Sequence, residues 1–381
     1  MAHRPRLPQL PALEALPALR EALARQGRAV FAAPPGSGKT TLLPLALLDE
    51  PWLRGRRILM LEPRRVAARA SAARMAALLG EALGDTVGYR IRFERRVSAK
   101  TRIEVITEGL LTRRLQADPE LPGVGLVIFD EFHERSLDVD LALALTLDAR
   151  AAINPELRVL VMSATLDTAR VAALLDEAPL VEAGGRQFPV ELRYRPATPG
   201  ADLGESVAAV ASTALDQSSG DVLAFLPGAR EIQRARRRLE AASVDALICP
   251  LYGELSSAEQ DVALQPAAGG GRKIILATNI AQTSLTVEGV NTVVDGGYAR
   301  VARFDLGSGA NRLETLRISR ASAEQRAGRA GRLGPGVAWR LWSADQHAAL
   351  PAQDTPEIFS ADLSRFALEL AAWGVSDPAR L

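Results

Sequence analysis

Short runs rich in Val, Ile and Leu alternate with longer Ala/Arg/Leu segments of helical period, and that alternation is what a parallel sheet covered by helices on both faces requires. In the first half the runs are 28–33, 57–62, 102–107, 125–130 and 158–163, with helices expected to start near Lys39, Arg65, Gly109, Leu137 and Thr168. Residues 182–200 hold Gly184, Gly185, Pro189, Pro196 and Pro199 with little helical period, which marks a connection between domains. A second α/β set follows, with strands expected at 221–226, 246–250, 273–278, 292–295 and 337–342 and helices at 204–215, 229–241, 257–264 and 321–330. At 381 residues the chain is long enough for two or three domains. The expectation is two tandem parallel-sheet lobes, 1–188 and 189–350, with 351–381 opening a further helical region. Two alternating segments around Gly307-Ser308-Gly309, within 298–319, predict a β-hairpin inserted in the second lobe.

The segment Ala33-Pro-Pro-Gly-Ser-Gly-Lys-Thr-Thr41 lies where an expected strand gives way to an expected helix, the context a phosphate-binding P-loop needs. Gly36 and Gly38 let the backbone turn its N–H groups toward phosphate oxygens, and Ser37 and Thr41 sit in the same cradle. Lys39 can reach the β- and γ-phosphates, and Thr40 can offer its hydroxyl to Mg²⁺. Ala33 stands where the pattern has its leading glycine. The run Gly125-Leu-Val-Ile-Phe-Asp130-Glu131 ends a buried strand with two acids. Carboxylates at that end of a parallel strand face the ligand crevice. Asp130 can therefore serve the metal, while Glu131 can serve the metal or accept a proton from attacking water.

Composition narrows the remaining classes. Hydrophobic residues make up 48% and charged residues 24%, a globular balance that argues against disorder. Lys+Arg 46 against Asp+Glu 45 leaves +1, so a polyanion must be held by local basic clusters. Lys occurs only at Lys39, Lys100 and Lys273. One cysteine, Cys249, excludes an internal disulfide framework, and three scattered histidines do not make a zinc site. No apolar run is long enough to span a membrane, and a reducing cytoplasm fits.

The acidic pair continues as Phe132-His133-Glu-Arg-Ser, and an ordered series surrounds it: Glu62-Pro-Arg-Arg65, Thr107-Glu-Gly109, Ser163-Ala-Thr165, Leu223-Ala-Phe-Leu-Pro-Gly228, Thr278-Asn-Ile-Ala-Gln-Thr-Ser284 and Gln325-Arg-Ala-Gly-Arg-Ala-Gly-Arg332. Over nearly its whole length the chain resembles the DExH/DEAH-box helicases of superfamily two. The resemblance implies two RecA-like lobes and an RNA-stimulated hydrolase of ATP with Mg²⁺. It also implies a 3′ to 5′ motor on single-stranded or tailed duplex RNA, with residues from Pro351 onward starting a winged-helix region.

The same resemblance assigns Gln325 to the hydrolytic water and Arg329 and Arg332 to the γ-phosphate as arginine fingers. Arg64, Arg65, Thr107, Glu108, Gly109, Thr278, Asn279 and Thr283 are assigned to the nucleic-acid backbone, and His133, Ser163 and Thr165 to coupling. Arg74 and Thr286 join the nucleotide-binding set. Leu264 occupies the region where the family places an aromatic against the base, so discrimination among nucleoside triphosphates is expected to be weak. Position 282 is Gln where the family usually has Glu. Alternatives left open are a DNA-acting motor and a nucleic-acid-stimulated ATPase switch that unwinds nothing. A monomer is expected.

Overall fold

Sixteen strands build three sheets in the computed structural model, which describes residues 7–164, 168–185, 188–282 and 287–380. The chain divides into two compact units, Met1–Gly185 with Pro356–Leu381, and Arg186–Thr355. In the first unit the strands are β1 Arg28–Ala32, β2 Arg57–Leu61, β3 Val87–Ile91, β4 Glu94–Arg96, β5 Ile103–Ile106, β6 Val124–Phe129, β7 Arg158–Ser163 and β8 Leu180–Glu182. They lie in the order β4-β3-β5-β2-β6-β7-β1-β8, with β3–β4 the antiparallel pair. All six residues of β6 are buried, because helices cover both faces. The period of two is visible in β2, where Ile58 and Met60 join one core while Leu59 and Leu61 join the other.

The second unit holds β9 Val190–Tyr194, β10 Asp221–Phe225, β11 Leu247–Leu251, β12 Lys273–Ala277, β13 Val290–Asp295, β14 Tyr298–Asp305, β15 Ala310–Arg317 and β16 Gly336–Arg340. Six form a parallel sheet in the order β11-β12-β10-β13-β16-β9, and β14 pairs antiparallel with β15 as the expected hairpin. On the helix Ala229–Ala241, Ile232, Ala235 and Leu239 face inward while Arg237 and Arg238 face solvent. Cys249 is buried, its thiol near the Leu247 carbonyl.

The five strands expected in each half are all present, and four more are not in that reading. β4, Glu-Arg-Arg, is an exposed edge strand and carries no apolar alternation. β8 has only three residues. β9 lies inside the stretch expected to be only a connection; its pairing with β16 makes it an edge strand of the second sheet despite the flanking prolines. Residues 356–381, expected with 351–355 to open a separate region, belong to the first unit. There the Trp373 indole donates to Asp148 at 2.7 Å and Gln116 donates to Glu369 at 2.6 Å.

Candidate nucleotide and nucleic-acid sites

Because β6, β7 and β1 are parallel neighbours, the loops leaving them emerge at one edge of the first sheet. The loop after β1 turns through Gly36 at φ 84° and Gly38 at φ 90° into the helix Lys39–Ala46. A Cβ at Gly38 would stand 2.8 Å from Leu42 Cδ1, so glycine is required there on two counts. The Ala33 N–H donates to the Ser163 carbonyl at 3.1 Å, tying this loop to the end of β7. Lys39 is buried, with Nζ 3.6 Å from Glu131 Oε1. Thr40 Oγ1 donates to Asp130 Oδ2 at 2.6 Å, and Asp130 Oδ1 accepts the Glu131 N–H at 2.8 Å. Burial, and then the charge of Glu131, push the Asp130 carboxyl above its ordinary range, against the pull of Lys39.

Glu131 adopts φ 50°, ψ 35°, a left-handed backbone that a non-glycine residue enters at a cost of about 1–2 kcal/mol. That turn aims the acid back toward Lys39 before the short helix Phe132–Glu134. Burial holds His133 neutral, so its 3.4 Å approach to Glu131 is not an ion pair. Its Nδ1 lies 3.4 Å from the Ala164 N–H that donates to it, which links the acidic motif to the Ser163 segment. Arg64 pairs with Glu134 at 3.1 Å. Glu108 is buried and accepts from Ser136 Oγ at 2.8 Å; burial raises its carboxyl to about 8, despite that hydrogen bond.

In the second unit a buried polar network centres on Gln282. Its Nε2 donates to Ser322 Oγ at 2.8 Å and Gln325 Oε1 at 3.1 Å, while its Oε1 accepts from Arg326 Nε at 3.0 Å and its carbonyl from Arg329 Nε at 2.9 Å. Arg326 Nη1 reaches Asp295 Oδ1 at 2.8 Å, and its guanidinium lies over the Phe225 ring at 4.8 Å.

Comparison with known proteins decides what this pair of units is. Residues 14–174 match the DEAD/DEAH box helicase family model and residues 205–334 match the helicase conserved C-terminal domain. This chain carries a DEAD/DEAH box helicase domain followed by a helicase C-terminal domain. It is 52% identical over 366 residues to the ATP-dependent RNA helicase HrpB of Escherichia coli (strain K12), spanning 96% of this chain and 45% of that protein. It is 37% identical to the ATP-dependent RNA helicase HrpA of the same organism, over 94% of this chain and 28% of that protein. The crystal structure of the Escherichia coli DEAH/RHA helicase HrpB matches with a TM-score of 0.92 at 52% identity, covering 98% of this chain and 48% of that one. The chain therefore spans less than half the length of these relatives.

Set against the helicase motifs, the first unit brings Lys39, Thr40, Asp130, Glu131, His133 and Ser163 together. Arg64 and Arg65 sit at the start of the helix Arg65–Leu79, and Arg74 is on an exposed face of that helix. Thr107 precedes, and Glu108 and Gly109 open, the helix Glu108–Ala117. Thr278 and Asn279 begin the short turn Asn279–Ala281. Thr165, Thr283 and Thr286 lie outside the described residues. The even spacing of Arg326, Arg329 and Arg332 suggests one basic helix face, but the helix is Arg320–Gly328. Arg326 and Arg329 are buried and Arg332 lies beyond the helix, so a solvated basic stripe is excluded. Gln282 is the functional position that sequence reasoning undervalued. Its only signal was an amide where the helicase pattern usually has a carboxylate.

Proposed function

We propose that this chain binds ATP in the first unit, hydrolyses it when single-stranded RNA is bound, and moves along that RNA 3′ to 5′ to separate duplexes. The observation that carries the reading is the buried meeting of Lys39 and Thr40 with Glu131 and Asp130, at 3.6 and 2.6 Å. The donor set fits a nucleotide with Mg²⁺: one hydroxyl and one carboxylate suit a small hard cation whose other ligands are water and phosphate oxygens. The Ser37 hydroxyl, buried and without a protein partner among the described residues, is a further donor in the loop. Bound there by Thr40 and Asp130, with Glu131 beside them, Mg²⁺ would neutralise charge building on the phosphates.

Glu131 is the general base for the attacking water, its orientation set by the left-handed backbone. Lys39 and the N–H groups of Gly36, Ser37 and Gly38 hold the phosphates, with Thr41 behind them at the helix start. Gln325 orients the water, and Arg329 and Arg332 serve as arginine fingers. His133 and Ser163, with Thr165, pass the state of the nucleotide site to the RNA track, which Arg64, Arg65, Thr107, Glu108, Gly109, Thr278, Asn279 and Thr283 line through backbone contacts. Arg74 and Thr286 contact the nucleotide outside the phosphates. The protein acts as a monomer in the cytoplasm.

Steady-state ATP turnover with RNA, with DNA and with neither tests the substrate, and displacement of 3′-tailed against 5′-tailed duplexes tests the motor. Glu131→Gln keeps the size of the side chain but removes the base. Turnover should fall about 10²–10⁴-fold while nucleotide binding persists; an unchanged rate would remove Glu131 from the role.

A further inference from the structure

The amino-terminal edge of the first sheet, opposite the P-loop edge, carries a recess of about 220 Å³. Trp52, Arg54 and Arg56 line it from the segment before β2, and Arg150, Glu156 and Arg158 from the segment leading into β7. Residues 24–27, just before β1, close it. Four guanidiniums thus face a single carboxylate, Glu156, which meets Arg54 and Arg56 at 3.4 Å each. Arg25 at the rim pairs with Glu21 at 3.0 Å and leaves that excess as it is.

Three of the four, Arg56, Arg150 and Arg158, are held by neutral acceptors, while Arg54 pairs with the Glu156 carboxylate. Arg150 donates to the carbonyls of Leu157 at 2.9 Å and Gln26 at 3.1 Å. Arg158 donates to the carbonyls of Leu23 at 3.0 Å and Glu156 at 3.1 Å. Arg56 is held in the same way by Leu53 and Trp52. Carbonyls orient a guanidinium without cancelling its charge, so the positive field survives and the ordering entropy of these long side chains is already spent. Nη1 of Arg150 and Nη2 of Arg158 have no hydrogen-bond partner among the described residues. Burial, followed by neighbouring guanidiniums (Arg28 for Arg150, Arg56 for Arg158), pushes both below the ordinary arginine range, against the pull of Asp176 and Glu156 respectively.

Capping the last carbonyls of the helix Leu16–Arg25 explains one or two of these arginines. It does not explain four converging on one cavity. Rigid, forked donors around a small recess match phosphate oxygens. Arg158 covers one face of Trp52 at 4.6 Å, so a nucleobase cannot stack on that face.

We propose that this recess binds a small ligand bearing a diphosphate group, at a site separate from the nucleotide site. The probe is inorganic pyrophosphate, titrated calorimetrically into the full chain carrying Lys39→Ala, and into the unsubstituted chain saturated with a nonhydrolysable ATP analogue, so that the P-loop does not report. One saturable site is expected in both. Arg150→Gln should weaken it about tenfold, the loss of a charge-assisted contact. Should that variant misfold, Arg54→Glu reverses charge on a side chain 70% exposed, leaves the packing alone, and should weaken binding by about fivefold or more. Saturating single-stranded oligouridylate should leave the pyrophosphate affinity unchanged. Absence of a saturable site, equal affinity in both arginine variants, or competition by the oligonucleotide, which would make the recess a phosphodiester contact, each overturns the proposal.

Discussion

The two units hold their charged groups in opposite ways. In the second, Arg326 is fully buried and held through Nε and Nη1: Gln282 at 3.0 Å, Asp295 at 2.8 Å and the Phe225 ring leave it little freedom. In the first, Lys39 stops 3.6 Å from Glu131, beyond a good hydrogen bond, and Asp130 is pushed toward its neutral form by burial and its neighbour. The Gln282 network is met mostly by protein groups, with Arg326 Nη2 and Asp295 Oδ2 left buried without a hydrogen-bond partner among the described residues. In the other, Lys39 and Glu131 stay apart while Asp130 accepts from Thr40 and a backbone N–H; on the proposed function, a triphosphate and a cation would satisfy these charges. On the proposed function, a site that binds and releases a polyanion would gain from incompleteness, and one that presents Gln325 and Arg329 in one orientation would gain from rigidity.

The sharpest way to break this contrast is Arg326→Ala. Removing one partner of a buried pair leaves Asp295 uncompensated, and the second unit should lose about 3–5 kcal/mol of stability, read by denaturant unfolding. Gln282→Ala comes next: it strands Arg326 Nε and releases Gln325 and Ser322. The cost should be about 1–3 kcal/mol, with ATP turnover falling more than ATP affinity.

A pH-dependent effect distinguishes the buried acids. Glu108 has no basic group to offset its burial among Asp138, Glu134 and Glu357, and its carboxyl rises from 4.5 to about 8. The folded state therefore binds the extra proton between those values, and stability is present below pH 4.5 and lost as pH rises toward 8. Its contribution should fall by about 1.4 kcal/mol per pH unit in that window. Glu108→Gln, compared with the unsubstituted chain by thermal unfolding from pH 5 to 9, should flatten the curve. The mildest expectation concerns the base: with Leu264 and no ring in its region, ATP, GTP, CTP and UTP should be turned over within about tenfold of one another. A strong preference for ATP would point to a base contact elsewhere.

Much of the site was legible because its parts are local. Glycines before a lysine, a strand ending in two acids and the order of the later motifs are patterns of neighbouring residues, and the strand-helix alternation around them repeats often enough to be read without contacts. What escaped was nonlocal or backbone-borne. Nothing in the composition of Val190–Tyr194 distinguishes a connector from an edge strand; pairing with β16 does. Arg326 and Arg332 are alike in sequence, yet one is buried on Asp295 and the other lies past the helix end.

By itself, then, the sequence determined two α/β lobes, the phosphate loop and the acids that follow β6, because each is set by spacing along the chain and by burial of alternating apolar residues. Tertiary structure alone decided the left-handed turn that aims Glu131, the return of residues 356–381 to the first unit and the gathering of four arginines at the far edge of the sheet. These depend on segments distant in sequence meeting in space, and the free energy of such meetings belongs to the packed whole and not to any stretch of residues.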